Sequence, residues 1–329
     1  MNVTGNKAKL FWTGGWDSTF EFCRLSLKPI KVQPVYIIID RPYHVGEQLE
    51  IEAQNKILKL LKERSTTKAE ILPLIRIRYN EIHIHKIVND AFMHYRKTLD
   101  SIGWQYLYMG GYAYNNPGMR VMIGDFAHST GRTMKYIRQG NFKFDDENVG
   151  YMIEEGSDPN SYALFGRMYY PIAGFQQDYI LQWLKDNPFD DIMKHVWTCF
   201  YPIDGKPCGF CQPCRIKIKQ HLDFFFTKEA LKRGFVYNYL HDKYEFKDPR
   251  LDIYYLVWLR NKYNPEYISM NVDGKNVGNA IHYFKWFKSL FTPEYLKNVY
   301  EYESFFNELL NSDIEYRNML DRGQEWGLT

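Results

Sequence analysis

Two groups of residues in this chain have types and spacing suited to chemistry. Near the amino end, Thr13-Gly14-Gly15-Trp16-Asp17-Ser18-Thr19 sets two glycines before an acid and two hydroxyls. The glycines let the backbone turn tightly and approach a ligand, and Asp17, Ser18 and Thr19 fall at a helix start, where N–H groups and the positive dipole end attract anions. Phosphate is the natural guest of such a turn, although the same residues also make a well-capped helix, since Asp and Ser are good caps. No G-x-x-x-x-G-K-[ST] and no G-x-G-x-x-G after a strand is present to suggest another nucleotide loop. The second group is Cys199, Cys208, Cys211 and Cys214, four of the chain's five cysteines. Four thiolates complete a tetrahedral zinc and leave no position for water, so a zinc here is structural, tying a long loop to a helix that begins near Arg215. An iron–sulfur cluster takes the same ligands, and four free buried thiols are the third alternative. Cys23, the fifth, falls on the apolar face of the first helix and reads as inert packing.

The elements that must position these groups follow from periodicity. Residues 9–12 form a short apolar run that ends in the glycine turn, and residues 17–27 repeat apolar side chains at helical spacing. Residues 35–39 and 71–77 read as further strands, and residues 47–62 and 82–99 as the helices that follow them. Three successive βα units predict an α/β fold with a doubly wound parallel sheet and right-handed crossovers. Ligands of such sheets sit at the carboxyl ends of strands, which directs attention to residues 13–18 and 40–44. A fourth strand is expected at 104–109, a loop at 110–118, and helices at 175–185 and 215–226. Beyond residue 226 the chain reads as short helices rich in Tyr, Phe and Trp, with turns at Pro249, Pro265, Asp273-Gly274 and Pro293. Three parts are therefore expected: residues 1–195 carrying the glycine loop, 196–226 carrying the cysteines, and a mostly helical extension over 227–329.

Composition sets bounds. The 329 residues suit one large α/β domain with an appendage or two domains, and 45% hydrophobic with 25% charged residues is ordinary for a globular chain. A net charge of +3 is too small for a general electrostatic grip on nucleic acid or acidic membrane. The start lacks the apolar core of a signal peptide, and no stretch approaches the roughly 18 apolar residues of a membrane span, so a soluble, cytoplasmic protein is expected.

Residues 13–18 resemble the S-G-G-x-D-S loop of the ATP-pyrophosphatase (PP-loop) family, with Thr13 keeping a hydroxyl at the first position. With the Cys199-x8-Cys208-Gly209-Phe210-Cys211-Gln212-Pro213-Cys214-Arg215 motif, the chain resembles the 7-cyano-7-deazaguanine synthase (QueC) family over residues 8–225. Asp40 fits the acid that ends that family's second strand, and His44 with Glu47 resembles its H-x-x-E, one residue closer than usual to Asp40. The resemblance implies that Thr13, Gly14, Gly15, Asp17, Ser18, Thr19 and Asp40 hold ATP with Mg²⁺, and that Asp17, Ser18 and His44 belong to the catalytic machinery. It also implies that the carboxylate of a 7-deazaguanine is adenylated and passed to ammonia or another amine, giving an amide or nitrile.

The substrate part departs from the family pattern. Gly110-Gly111-Tyr112-Ala113-Tyr114-Asn115 stands where the family has G-x-N, and Pro171-Ile172-Ala173-Gly174 stands where it has a Ser-Lys pair. Arg132, Lys135 or Arg138 supplies a cation near the phosphates or forms a solvated basic face. Paralogues resembling this arrangement occur in antiviral defence operons, one type coupling a deazaguanine to a protein amine, and the long aromatic extension is either core or a contact surface for such a partner. A sulfurating PP-loop enzyme and a non-catalytic nucleotide or zinc adaptor are the competing expectations; a homo-oligomer stays open.

Overall fold

The computed structural model describes residues 7–39, 46–98, 102–122, 141–145, 150–173, 178–200, 202, 205–209, 211–228, 230–231, 234, 269–272 and 275–279. By compactness the chain separates into two units, Met1–Asp40 with Glu50–Trp197, and Arg41–Leu49 with Thr198–Thr329.

The first unit is α/β. Its strands are β1 (Lys7–Phe11), β2 (Lys31–Ile38), β3 (Glu70–Ile71), β4 (Ile75–Arg78), β5 (Met119–Arg120), β6 (Phe142–Asp145), β7 (Gly150–Ile153) and β8 (Met168–Tyr169). The central sheet runs β3-β2-β1-β5-β8, with β4 also on β2, and every pairing in it is parallel. β6 and β7 form a separate antiparallel ribbon. The helices are α1 (Trp16–Ser26), α2 (Glu47–Glu63), α3 (Lys86–Thr98), α4 (Trp104–Asn115), α5 (Pro159–Phe165), α6 (Tyr179–Asp186) and α7 (Asp190–Met193).

Strand alternation sends side chains to two covered faces. Phe11 and Val35 join Val88, Phe92 and Tyr95 of α3, Leu107 of α4 and Leu164 of α5 in one core. On the other face the Tyr36 hydroxyl donates to Glu50 of α2 at 2.6 Å, and Trp12 meets Phe22 of α1 edge to face. A buried ion pair fixes α1 further: Arg120 of β5 donates to Glu21 at 2.7 Å, and Arg24 reaches the same carboxylate at 3.2 Å.

The expected strand over 71–77 is two strands, β3 and β4, interrupted at Leu72-Pro73-Leu74. The interruption faces Pro34 of β2. The Val32 carbonyl accepts from Leu72 N, and the Val35 carbonyl accepts from Trp12 N, so even positions of β2 bond toward β3 and β4 and odd ones toward β1. Pro34, which has no N–H, would have donated toward residues 72–74, where no ladder runs. A proline is thereby accommodated inside a central strand, a place it normally avoids.

The expected strand at 104–109 and loop at 110–118 are overturned: residues 104–115 form α4. Two adjacent glycines disfavour a helix by propensity, but both are needed where α4 packs closely. A Cβ on Gly110 would stand 2.7 Å from Leu164 Cδ1 and 2.8 Å from the Leu164 carbonyl oxygen, and one on Gly111 would stand 2.2 Å from Ile84 Cδ1. The strand expected there is β5, which follows the helix.

In the second unit the helix expected over 215–226 is α8 (Gln212–Lys219), followed by a 3₁₀ turn at Asp223–Phe225. His221, with φ of 58°, takes a left-handed backbone that cannot continue an α-helix. Within the extension expected to be mostly helical, β9 (Ser269–Val272) and β10 (Lys275–Asn279) form an antiparallel pair on either side of the expected turn at 273–274. Lys228, Ala230, Leu231 and Gly234 are helical, and the rest of that extension lies outside the described residues. Among the described residues no helix is long and apolar enough to cross a membrane.

Candidate functional site

The glycine turn sits at the carboxyl end of β1, a central strand, and leads directly into α1. Gly14 has φ of +80°, a conformation that strains any residue with a Cβ, and such a Cβ would stand 3.1 Å from Gln54 Cγ. Gly15 is the helix N-cap and brings no side-chain cap, so the first-turn amides and the positive end of the α1 dipole face the turn. Thr13 Oγ1 accepts from Gly15 N at 3.2 Å, and Ser18 Oγ lies 3.5 Å from Thr13 Oγ1 and 3.4 Å from the Gly15 carbonyl oxygen. At these distances the hydroxyls are loosely held around the turn rather than locked into it. Thr13 is exposed and Asp17 half-buried in the first turn of α1. Amides, hydroxyls and a helix start of this kind suit the oxygens of a phosphate group.

Thr19 has a different place. It is fully buried, and its hydroxyl accepts from Trp12 Nε1 at 3.0 Å, so it anchors the helix start instead of facing a ligand. The structure therefore brings Thr13, Gly14, Gly15, Asp17 and Ser18 together around the turn. Asp40, His44 and the basic residues Arg132, Lys135 and Arg138 lie outside the described residues.

Beneath the turn lie residues the sequence reasoning missed. The Gly14 carbonyl accepts from Trp197 N at 3.0 Å. Glu50 and Gln54 of α2 are buried beside Gly14. Gln54 Oε1 accepts from Arg76 Nη2 at 3.2 Å, while Gln54 Nε2 is enclosed without a hydrogen-bond partner among the described residues. A signal for them was present: the core-facing stripe of α2 is Glu50, Ala53, Gln54, Ile57 and Leu61, and two polar residues on such a stripe call for a reason.

The second unit carries a candidate metal centre. Cys199, Cys208, Cys211 and Cys214 are all buried, and their sulfurs lie within 4.8 Å of one another. Separate contacts are 3.3 Å for Cys211–Cys214, 3.9 Å for Cys208–Cys214 and 4.0 Å for Cys199–Cys211. Zinc with Zn–S bonds of about 2.3 Å sets tetrahedral edges of about 3.8 Å, in the middle of this range. A multi-iron cluster places metal and sulfide atoms between its ligands and spreads them further apart. The four cysteines thus form a cluster able to hold one metal ion such as zinc. Backbone N–H groups already point at sulfur, Cys208 N to Cys199 Sγ at 3.2 Å and Cys211 N to Cys208 Sγ at 3.3 Å, which suits thiolate ligands.

Burial pushes the Cys208 and Cys214 thiols up, whereas Cys211, against the same burial, is held low by hydrogen bonds from the other three. A bound cation would favour the thiolate form of its ligands. Gly209 shapes the loop: its φ is +86°, and a Cβ there would stand 1.9 Å from the Ala230 carbonyl oxygen.

In comparisons with known proteins, no family model, no curated protein and no solved structure matches the chain.

Proposed function

We propose that the chain is an ATP-dependent ligase of the QueC type, which adenylates the carboxylate of a 7-deazaguanine and transfers the acyl group to ammonia or another amine. The observation that carries this proposal is the Gly14-Gly15 turn at the end of β1, with the first-turn amides of α1 and the Thr13 and Ser18 hydroxyls gathered around it. In this reading the turn holds the β- and γ-phosphates of ATP, and Asp17 holds the Mg²⁺ that accompanies them. A carboxylate oxygen of the substrate attacks the α-phosphorus and the bond to the pyrophosphate oxygen breaks. The amine nitrogen then attacks the acyl carbon, AMP leaves, and the nitrogen loses a proton. The amides of the turn stabilise the negative charge that gathers on the departing pyrophosphate. The buried cysteines hold a structural zinc, since four thiolates leave it no open position for catalysis.

Incubation with ATP, Mg²⁺, 7-carboxy-7-deazaguanine and ammonium, followed by mass spectrometry, tests the proposal. Formation of AMP, pyrophosphate and an amide supports it, as does a nitrile formed when a second ATP adenylates the amide oxygen and AMP carries that oxygen away, and a deazaguanine attached to a protein amine would identify the acceptor as a protein. Asp17→Ala is expected to abolish ATP cleavage while the chain stays folded. ATP binding without turnover on any carboxylate would replace the ligase by a nucleotide-binding adaptor.

A further inference from the structure

Gln54 is wholly enclosed on the face of α2 that meets the sheet, and its Cγ lies 3.1 Å from where a Cβ on Gly14 would stand. Its amide orientation is settled by chemistry. Arg76 has only donors, so the atom that meets Arg76 Nη2 at 3.2 Å must be the oxygen, and the planar amide turns Nε2 away from it. Among the described residues Nε2 then carries two N–H donors with no acceptor, in a place where an unmet donor is costly. The same Arg76 nitrogen also reaches Asn55 Oδ1 at 3.1 Å, so Arg76 does not depend on Gln54. An unmet donor on a side chain whose Cγ packs against Gly14 calls for an acceptor, and the anion that a turn rich in donors would take up supplies one.

We propose that Gln54 is a binding residue of the glycine turn, whose side-chain amide donates to an oxygen of the phosphate group that the turn takes up. The inference rests on the phosphate reading of the turn and adds a residue from α2 to it. In the ligand-free protein the amide is a cost to stability, and binding removes that cost as the turn adjusts around the anion.

Titration calorimetry with Mg·ATP and, separately, with pyrophosphate tests this in the full chain. Gln54→Glu keeps an acceptor for Arg76 and removes only the donors. Gln54→Leu removes the donors without adding charge. Both are expected to weaken binding by about tenfold or more, the effect of losing a hydrogen bond to a charged group, while the ligand-free unfolding temperature of Gln54→Leu stays level or rises. The side-chain amide signal of Gln54, identified by its loss in Gln54→Glu, is expected to shift when pyrophosphate is added. If Gln54→Leu binds as the unaltered chain does, the role of Gln54 is overturned, and the amide is met by an internal water or by nothing. Weakening by Gln54→Glu alone would reflect charge repulsion and would overturn it equally. A chain that binds neither ATP nor pyrophosphate before any substitution removes the phosphate reading itself.

Discussion

The indole of Trp12 donates to the hydroxyl of Thr19 at 3.0 Å, joining the residue that follows β1 to the first turn of α1 and bracketing residues 13–18. Both side chains are fully buried, so the bond meets an indole N–H that water does not reach. Thr19→Val keeps the shape and removes the acceptor. We expect it to lower stability by about 1–3 kcal/mol, the cost of an unmet buried donor, and to loosen the turn. Denaturant unfolding with and without ATP separates the two effects, since a loosened turn loses affinity beyond what stability alone explains.

The two glycines of α4 make opposite demands. At Gly110 a methyl group would meet both the side chain and the backbone carbonyl oxygen of Leu164, and a backbone atom cannot step aside without moving α5. At Gly111 the nearest atom is the terminal Cδ1 of Ile84, the far end of a flexible side chain. Gly110→Ala is expected to destabilise by about 1–3 kcal/mol through overpacking. Gly111→Ala is expected to cost less, or to gain, because alanine is the better helix former by about 1 kcal/mol. Thermal unfolding of the two variants side by side checks the order, and equal losses would contradict it.

The cysteine cluster predicts a stoichiometry and a dependence. Metal analysis of the purified chain is expected to give one zinc per chain, and Cys211→Ser to lose it. A strong chelator is expected to lower the unfolding temperature of the unaltered chain and to leave Cys211→Ser where it already is. Retention of full stability by a metal-free Cys211→Ser chain would remove the structural role of the metal.

Three buried acids set an alkaline limit. Burial pushes up the Cys23 thiol and the Tyr170 phenol, and burial together with the nearby Asp158 carboxylate pushes up Tyr95. For an acid raised in the folded state, the stability it contributes is complete below its unfolded value and is lost as pH climbs toward the folded one. The ordinary values are 9.0 for the thiol and 10.0 for the phenols, so the unfolding temperature is expected to fall from about pH 9 upward. Cys23→Ala should delay that fall toward pH 10. A flat profile through pH 11 would show that these groups are reached by water.

The strand, turn and helix around Gly14 were readable because each is a local property: an apolar run, two glycines and a helical period in succession. The cysteine cluster was readable for the same reason, since its spacing is set within sixteen positions. Trp12 with Thr19, and Gly14 with Gln54 and Trp197, were not, because each pair is joined only by the packing of α1, α2 and the segment near 197 on the sheet. Thr19 shows the difference well. Its type and position fit a ligand-facing hydroxyl, and only the indole beneath it reveals that the hydroxyl is already engaged. Gly110 and Gly111 misled for a related reason: propensity counts what a glycine costs a helix and not what its missing side chain allows a neighbouring helix to do.

Pro34 has a further consequence. Because only the side of β2 facing the gap between β3 and β4 can go without a donor, the strand is held against a one-residue slip on β1. Slippage by a single position would turn the imino nitrogen toward β1, deleting a bond at the middle of the sheet and sending Tyr36 and Val35 to each other's faces. An amino acid usually counted as a breaker of strands thus guards this one against misalignment while the chain folds.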